Sequence, residues 1–234
     1  MGTLYLVRHG QASFGAADYD CLSELGERQC RELGRYFAAR GIEFEAVLVG
    51  TLRRHRQSLA ALADGYGALP DGLPDGLPDV LPDALSWPGL NEYDADAIVQ
   101  AVHPEPLPRA ETPEQVRHHF RLLREELARW MAGSTAPAGM PSHPEWRAGI
   151  VGALDHVRAK HANNVLIVSS GGPIATAVGH VLGTTAETTI ELNLRLRNSA
   201  LTEFAFTPKR HSLVAFNHLP HLDHAERRDW ATYA

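Results

Sequence analysis

The stretch Thr3-Leu4-Tyr5-Leu6-Val7-Arg8-His9-Gly10 sets a short apolar, β-favouring run directly before an arginine, a histidine and a glycine. Such a run reads as a strand buried within a sheet. In open α/β sheets ligands bind beyond the carboxyl ends of the strands, and that is where Arg8, His9 and Gly10 fall.

Two further runs, Ala46-Val47-Leu48-Val49 and Val165-Leu166-Ile167-Val168, have the same character. Each leads into a helical pattern. The first is followed by Thr51 and a helix from Leu52 to about Ala63. The second is followed by Ser169-Ser170-Gly171-Gly172-Pro173 and a small-residue helix to about Leu182. Between the first two strands, Ser23 reads as an N-cap, with Leu25, Cys30, Leu33 and Phe37 as the apolar stripe of a helix that stops near Gly41. Alternating segments from Ala200 to Phe206 and from Leu213 to His218 close the chain as strands. Strand and helix alternating at both ends predict an α/β fold: a mostly parallel central sheet covered on both faces, a three-layer α/β/α sandwich.

The middle is less regular. Leu-Pro-Asp-X recurs four times, with prolines at Pro70, Pro74, Pro78 and Pro82. A proline every fourth residue forbids an ordinary α-helix, so residues 69–85 read as an extended or turn-rich insertion at the surface. Helical patterns resume over Glu114 to Met131 and Pro144 to His161, around a Gly/Pro/Ser-rich break from Gly133 to Ser142. They suggest a helical excursion over the sheet, about residues 93–147. No domain boundary is visible, and the expectation is a single domain over 1–234.

A chain of 234 residues, 44% apolar and 21% charged, is an ordinary globular composition that needs no staples. Its two cysteines, Cys21 and Cys30, cannot form a disulfide framework, which points to a reducing, cytoplasmic setting. No apolar run approaches the ~20 residues of a membrane span, and the first hydrophobic stretch ends at Arg8, too early for a signal peptide. The net charge of -6 excludes a global attraction to nucleic acid. Lys160 and Lys209 are the only lysines in the sequence, and arginine is the better bidentate ligand for phosphate.

Four segments carry chemistry. Arg8 beside His9 at a strand end suits an anion held by a fork of N–H donors next to a nitrogen nucleophile, and Gly10 would let backbone approach that ligand. Leu52-Arg53-Arg54-His55-Arg56-Gln57-Ser58 puts three arginines in a helix's first turn, against the helix dipole; a bound anion would account for them. Pro88-Gly89-Leu90-Asn91-Glu92 brings a carboxylate after a short strand around Ala84 to Trp87. Ser170-Gly171-Gly172 opens a helix whose exposed N–H groups form an anion site.

Together these segments resemble the histidine phosphatase superfamily, with its phosphoglycerate mutase-like fold. Arg8-His9-Gly10 is similar to the signature triplet, Leu52-x-Arg54-x-x-Gln57-Ser58 to the second arginine block, and Leu90-x-Glu92 to the segment of the proton donor. Leu22-Ser23-x-x-Gly26-x-x-Gln29 resembles the opening of the first helix. The order and spacing match from Thr3 to about His218. The resemblance implies that His9 is the nucleophile, that Arg8 and Arg54 clamp phosphoryl oxygens with Ser170 and Gly171 beside them, and that Glu92 donates and accepts the proton. It implies no cofactor and no metal, and a small phosphorylated metabolite as the partner rather than nucleic acid or membrane. Oligomeric state stays open, a homodimer included. Three readings follow: a phosphatase of small phosphomonoesters acting through a phosphohistidine at His9, a phosphoglycerate mutase, or a catalytically weak phosphate-binding or regulatory module.

The chain departs from the family at Ser170, where a second catalytic histidine is usual. A serine donates one hydrogen bond without charge. Loss of a charge-assisted bond costs on the order of 1.5–3 kcal/mol, or ~10- to 150-fold in rate. His55, His180, His218 and His221 are all candidates to fill the gap. If the Ser170 hydroxyl faces the anion, Ser170→His should raise turnover; if another histidine already fills the place, it should only crowd the site. Gly15 and Gly50 stand where asparagine and serine are usual, which weakens the mutase reading more than the phosphatase one. His218-x-x-His221-x-x-His224 has a spacing that suggests metal, but Pro220 interrupts it and a structural role fits better.

Overall fold

The computed structural model describes residues 1–13, 20–68, 78, 80–105, 107 and 112–233. Gly15 and most of the Leu-Pro-Asp repeat lie outside them. Among the described residues, six strands form one sheet in the order β3-β2-β4-β1-β5-β6. Strands β1 (Gly2–Arg8), β2 (Ala46–Val49), β3 (Ala84–Ser86) and β4 (Val165–Ser169) run parallel, while β5 (Leu201–Thr207) and β6 (Arg210–His218) are antiparallel additions beside β1. The expected α/β class and mostly parallel sheet are therefore present.

The unbroken apolar strands are explained by what covers them. Leu4 and Leu6 of β1, with Leu48 of β2 and Val165 and Ile167 of β4, pack on one face against Ile150, Leu154 and Val157 of α5 (His143–Lys160) and Ile174 and Val178 of α6 (Gly171–Leu182). Tyr5, Val7, Val47, Val49, Leu166 and Val168 point the other way. They meet Cys30, Leu33 and Phe37 of α1 (Glu24–Ala39) and Leu62 and Tyr66 of α2 (Arg53–Tyr66). Alternate residues of one strand thus enter two cores, each worth about 1.5–3 kcal/mol per large side chain buried.

The excursion contains α3 (Ala95–Gln100) and α4 (Pro113–Met131), whose Leu127 and Trp130 pack with Ile98 and with Ile190 of α7 (Ala186–Arg195). The sequence patterns had not indicated α7. Its Thr188, Thr189 and Ile190 are β-branched and weak helix formers, and a Thr185 hydroxyl accepting from Thr188 N is what starts it. Strand β3 takes the last residues of the Pro-Asp-rich segment onto the exposed edge beside β2.

Register decides where the site lies. Val49, Val168 and Val7 are aligned across three neighbouring parallel strands. The pairing continues past the strands: Gly50 N donates to Val168 O at 3.1 Å and, one residue further along β4, His9 N donates to Ser169 O at 2.8 Å. The chain therefore leaves the sheet at one height at Ser170 and His9, with Gly50 one residue short of that level, and Ser170 emerges from the middle strand.

Candidate active site

His9 is buried at the end of β1, 3% exposed. Its Nδ1 lies 2.7 Å from Gly10 O. A carbonyl only accepts, so Nδ1 carries the proton and Nε2 keeps its lone pair. Burial first, then the positive charges of Arg8 and Arg54, hold this imidazole well below its ordinary pKa, so it is neutral. Gly10 departs from its expected role. A Cβ there would sit 2.3 Å from Gly26 O, so the glycine admits the first turn of α1 rather than a ligand. Its N–H donates to Ser58 Oγ at 3.0 Å, which ties the triplet to α2.

Arg8 is buried, and its Nη1 donates to Leu196 O just beyond α7. Arg54 is buried in the first turn of α2, whereas Arg53 and Arg56 face solvent. The unfavourable cations at this helix start are answered by a carboxylate that the sequence analysis did not single out. Asp20 accepts from Arg53 N at 2.8 Å, from Arg54 N at 3.3 Å and from Arg54 Nη1 at 2.9 Å. Leu52, the N-cap residue, offers no side-chain acceptor, so Asp20 caps α2 from a distant loop. The basic first turn thus needs no bound anion to explain it. A helix start with three arginines and an apolar N-cap is the signal that such an acceptor must come from elsewhere.

Glu92 follows a single 3-10 turn at Pro88–Leu90 that is clamped by three donors: Trp87 Nε1 to Gly149 O at 2.9 Å, Trp146 Nε1 to Asn91 O at 3.1 Å, and Ser169 Oγ to Leu90 O at 2.6 Å. Asn91 adds a link to the turn after β2, accepting from Thr51 N at 2.7 Å and donating to Thr51 Oγ1 at 2.6 Å. The Glu92 carboxylate accepts from Gly172 N at 3.1 Å and Tyr93 N at 3.3 Å. One amide of the Gly171-Gly172 helix start is therefore directed at Glu92 and not left for an anion. Removal from water outweighs these bonds and the charges of Arg54 and Arg8, and raises the Glu92 carboxyl above the usual carboxylate range. The same two arginines act on both His9 and Glu92, so one site joins the ends of β1 and β4, the start of α2 and the turn after β3.

Of the histidines weighed for the place opposite Ser170, the fold selects His55. Its Nε2 lies 2.6 Å from Ser170 Oγ, and its ring centroid is 5.8 Å from that of His9. His180 is exposed and bonds Arg147. His218 pairs with Glu203 at 3.1 Å. His221 is buried against Ser199 Oγ at 2.9 Å, and Ser199 N in turn supports His9 O. A buried imidazole already stands at that place, which is the case in which a histidine at position 170 is expected to crowd the site.

The family model of the histidine phosphatase superfamily (branch 1) matches residues 4–219. Among curated proteins no relative matches in sequence. Several solved structures share the fold. A phosphoserine phosphatase from Entamoeba histolytica, in complex with 3-phosphoglyceric acid, aligns with a TM-score of 0.64 and 18% identity over 95% of this chain and 100% of that one. A mycobacterial glucosyl-3-phosphoglycerate phosphatase aligns with a TM-score of 0.60 and 20% identity over 93% and 99%. YhfR of Bacillus stearothermophilus aligns with a TM-score of 0.64 and 16% identity over 94% and 99%.

Proposed function

Because the chain belongs to the histidine phosphatase superfamily (branch 1), we propose that it is a phosphatase that hydrolyses a small phosphomonoester through a phosphohistidine at His9. The observation that carries this reading is the tautomer of His9. With Gly10 O accepting the Nδ1 proton, Nε2 carries the free lone pair and is the nucleophilic atom, under the positive charges of Arg8 and Arg54.

In the first step His9 Nε2 forms a bond to phosphorus as the ester P–O bond breaks, and the leaving oxygen takes the proton of Glu92. Arg8 and Arg54 neutralise the charge on the non-bridging oxygens, which is most of what phosphoryl transfer requires. In the second step a water oxygen attacks phosphorus, its proton goes to Glu92, and the P–N bond breaks to release inorganic phosphate and His9. A carboxyl group raised by burial suits both halves of this cycle, since it must hold a proton in one and accept one in the other.

The test is a panel of small phosphomonoesters, with p-nitrophenyl phosphate included, run on the protein and on His9→Ala. Turnover with an acid-labile, base-stable phosphoenzyme that is absent from His9→Ala is the expected result. Equal turnover by His9→Ala would overturn the reading. Binding of inorganic phosphate without turnover of any ester would replace it with a binding module.

A further inference from the structure

His55 and Ser170 come from elements that the fold brings together, the first turn of α2 and the N-cap of α6, and both are fully buried at 0% exposure. The ring has space only because residue 50 lacks a side chain: a Cβ on Gly50 would lie 2.1 Å from His55 Nδ1. Nδ1 is buried and has no hydrogen-bond partner among the described residues. An apolar residue would fill this space without stranding a polar atom, so packing alone does not call for an imidazole here.

The hydrogen-bond direction follows from that unpartnered atom. Burial, then the charge of Arg54, hold the pKa of the His55 imidazole down to about 3, so it is neutral and has one N–H. Were it on Nδ1, a donor would be orphaned in the core, the rarer and costlier arrangement. The proton therefore sits on Nε2, which donates to Ser170 Oγ. With Oγ accepting from His55, the hydroxyl hydrogen of Ser170 is left to point elsewhere. Ser170 stands at the end of the middle strand, between the exits at Gly50 and His9.

We propose that His55 is a positioning residue of the reaction: its Nε2–H orients and polarises the Ser170 hydroxyl as a donor to a non-bridging oxygen of the transferring phosphoryl group, and Gly50 is the space that admits its ring. The proposal rests on the phosphatase reading above. Two linked hydrogen bonds polarise one another in the same sense, so this neutral pair supplies a directed donor where the turn itself carries only a serine.

The experiment measures kcat and KM with p-nitrophenyl phosphate, and orthovanadate inhibition, for His55→Ala, Ser170→Ala, the double alanine variant, His55→Gln and the exchange variant His55→Ala/Ser170→His. Thermal melting reports folding for each. His55→Ala and Ser170→Ala should each lower kcat by ~10- to 150-fold, the span of one hydrogen bond to a charged group, with KM changing much less. The double alanine variant should be no slower than the slower single, because the two side chains act as one unit. His55→Gln, which keeps an N–H, should recover most of the loss. Ser170→His should be slow, and the exchange variant faster than it.

A folded His55→Ala with unchanged kcat, or single losses that multiply in the double variant, would overturn the proposal. If the parent protein turns over no ester, the phosphatase reading falls separately. The pair is then judged by titration with inorganic phosphate: weaker binding in both alanine variants, no worse in the double, supports it, and unchanged affinity overturns it.

Discussion

Gly50→Ala is the smallest change that tests how the site is packed. The added methyl would meet His55 Nδ1 at 2.1 Å and Asn91 Oδ1 at 3.0 Å. To return from 2.1 Å to the ordinary contact of 3.4 Å, the ring must retreat by about 1.3 Å. It has little room to do so, because His55 is fully buried and its other nitrogen is held 2.6 Å from Ser170 Oγ. Asn91 cannot yield freely either, since its amide is bonded twice to Thr51. Overpacking of this kind costs about 1–3 kcal/mol. For a chain of this size that is a fall in Tm of roughly 2–12 °C. Differential scanning calorimetry measures it, and His55→Ala in the same background provides the internal control. Removal of the ring should make Gly50→Ala nearly neutral, giving a coupling of about 1–3 kcal/mol between the two positions. Gly50→Ala melting with the parent protein, or an equal loss with and without His55, would refute the packing argument.

Loss of the Glu92 proton should be felt most with poor leaving groups. Glu92→Gln is expected to lower kcat for alkyl phosphates by roughly 100-fold or more, within the usual range for a general acid, and for p-nitrophenyl phosphate far less; equal losses on both would remove Glu92 from the proton-transfer role. The sign of the pH dependence follows from the two shifts. His9 is lowered well below its ordinary value, so it stays nucleophilic on the acid side, while Glu92 is raised and donates only below its own pKa. The rate for alkyl phosphates should therefore fall as pH rises through the Glu92 pKa, and that basic limb should be absent from Glu92→Gln in a pH–rate profile; a limb that survives would assign it to another group. Asp20→Ala removes the carboxylate that caps α2 and should cost about 0.5–2 kcal/mol, whereas Asp20→Asn keeps an acceptor and should cost less; equal melting of Asp20→Ala and the parent protein would show that the helix start is satisfied another way.

The strands and their order along the chain were legible in the sequence because burial on both faces leaves its mark residue by residue. Leu4 and Leu6 enter one core, Tyr5 and Val7 the other, and no polar side chain can be tolerated between them. Arg8 and His9 were legible for a related reason: a charged group that ends such a strand and a titratable group directly after it fall at the rim of the sheet. Glu92 was visible only through its likeness to a known segment, since an isolated glutamate after a short, exposed strand has no local signature.

What the tertiary structure decided are the contacts between distant elements. His55 and Ser170 are 115 positions apart, and nothing in helix periodicity distinguishes His55 from a surface residue of a basic helix. Asp20 and Arg54 are joined across 34 positions, from a loop whose pattern specifies no capping partner. Gly50 reads locally as a lost polar contact, but against the folded chain it is the space that an imidazole fills. Local pattern records which face of an element is buried, because that depends on spacing within the element. The partner a polar side chain meets depends on strand order and register, and with β4 seated between β2 and β1, Ser170 comes to stand between the exits at Gly50 and His9.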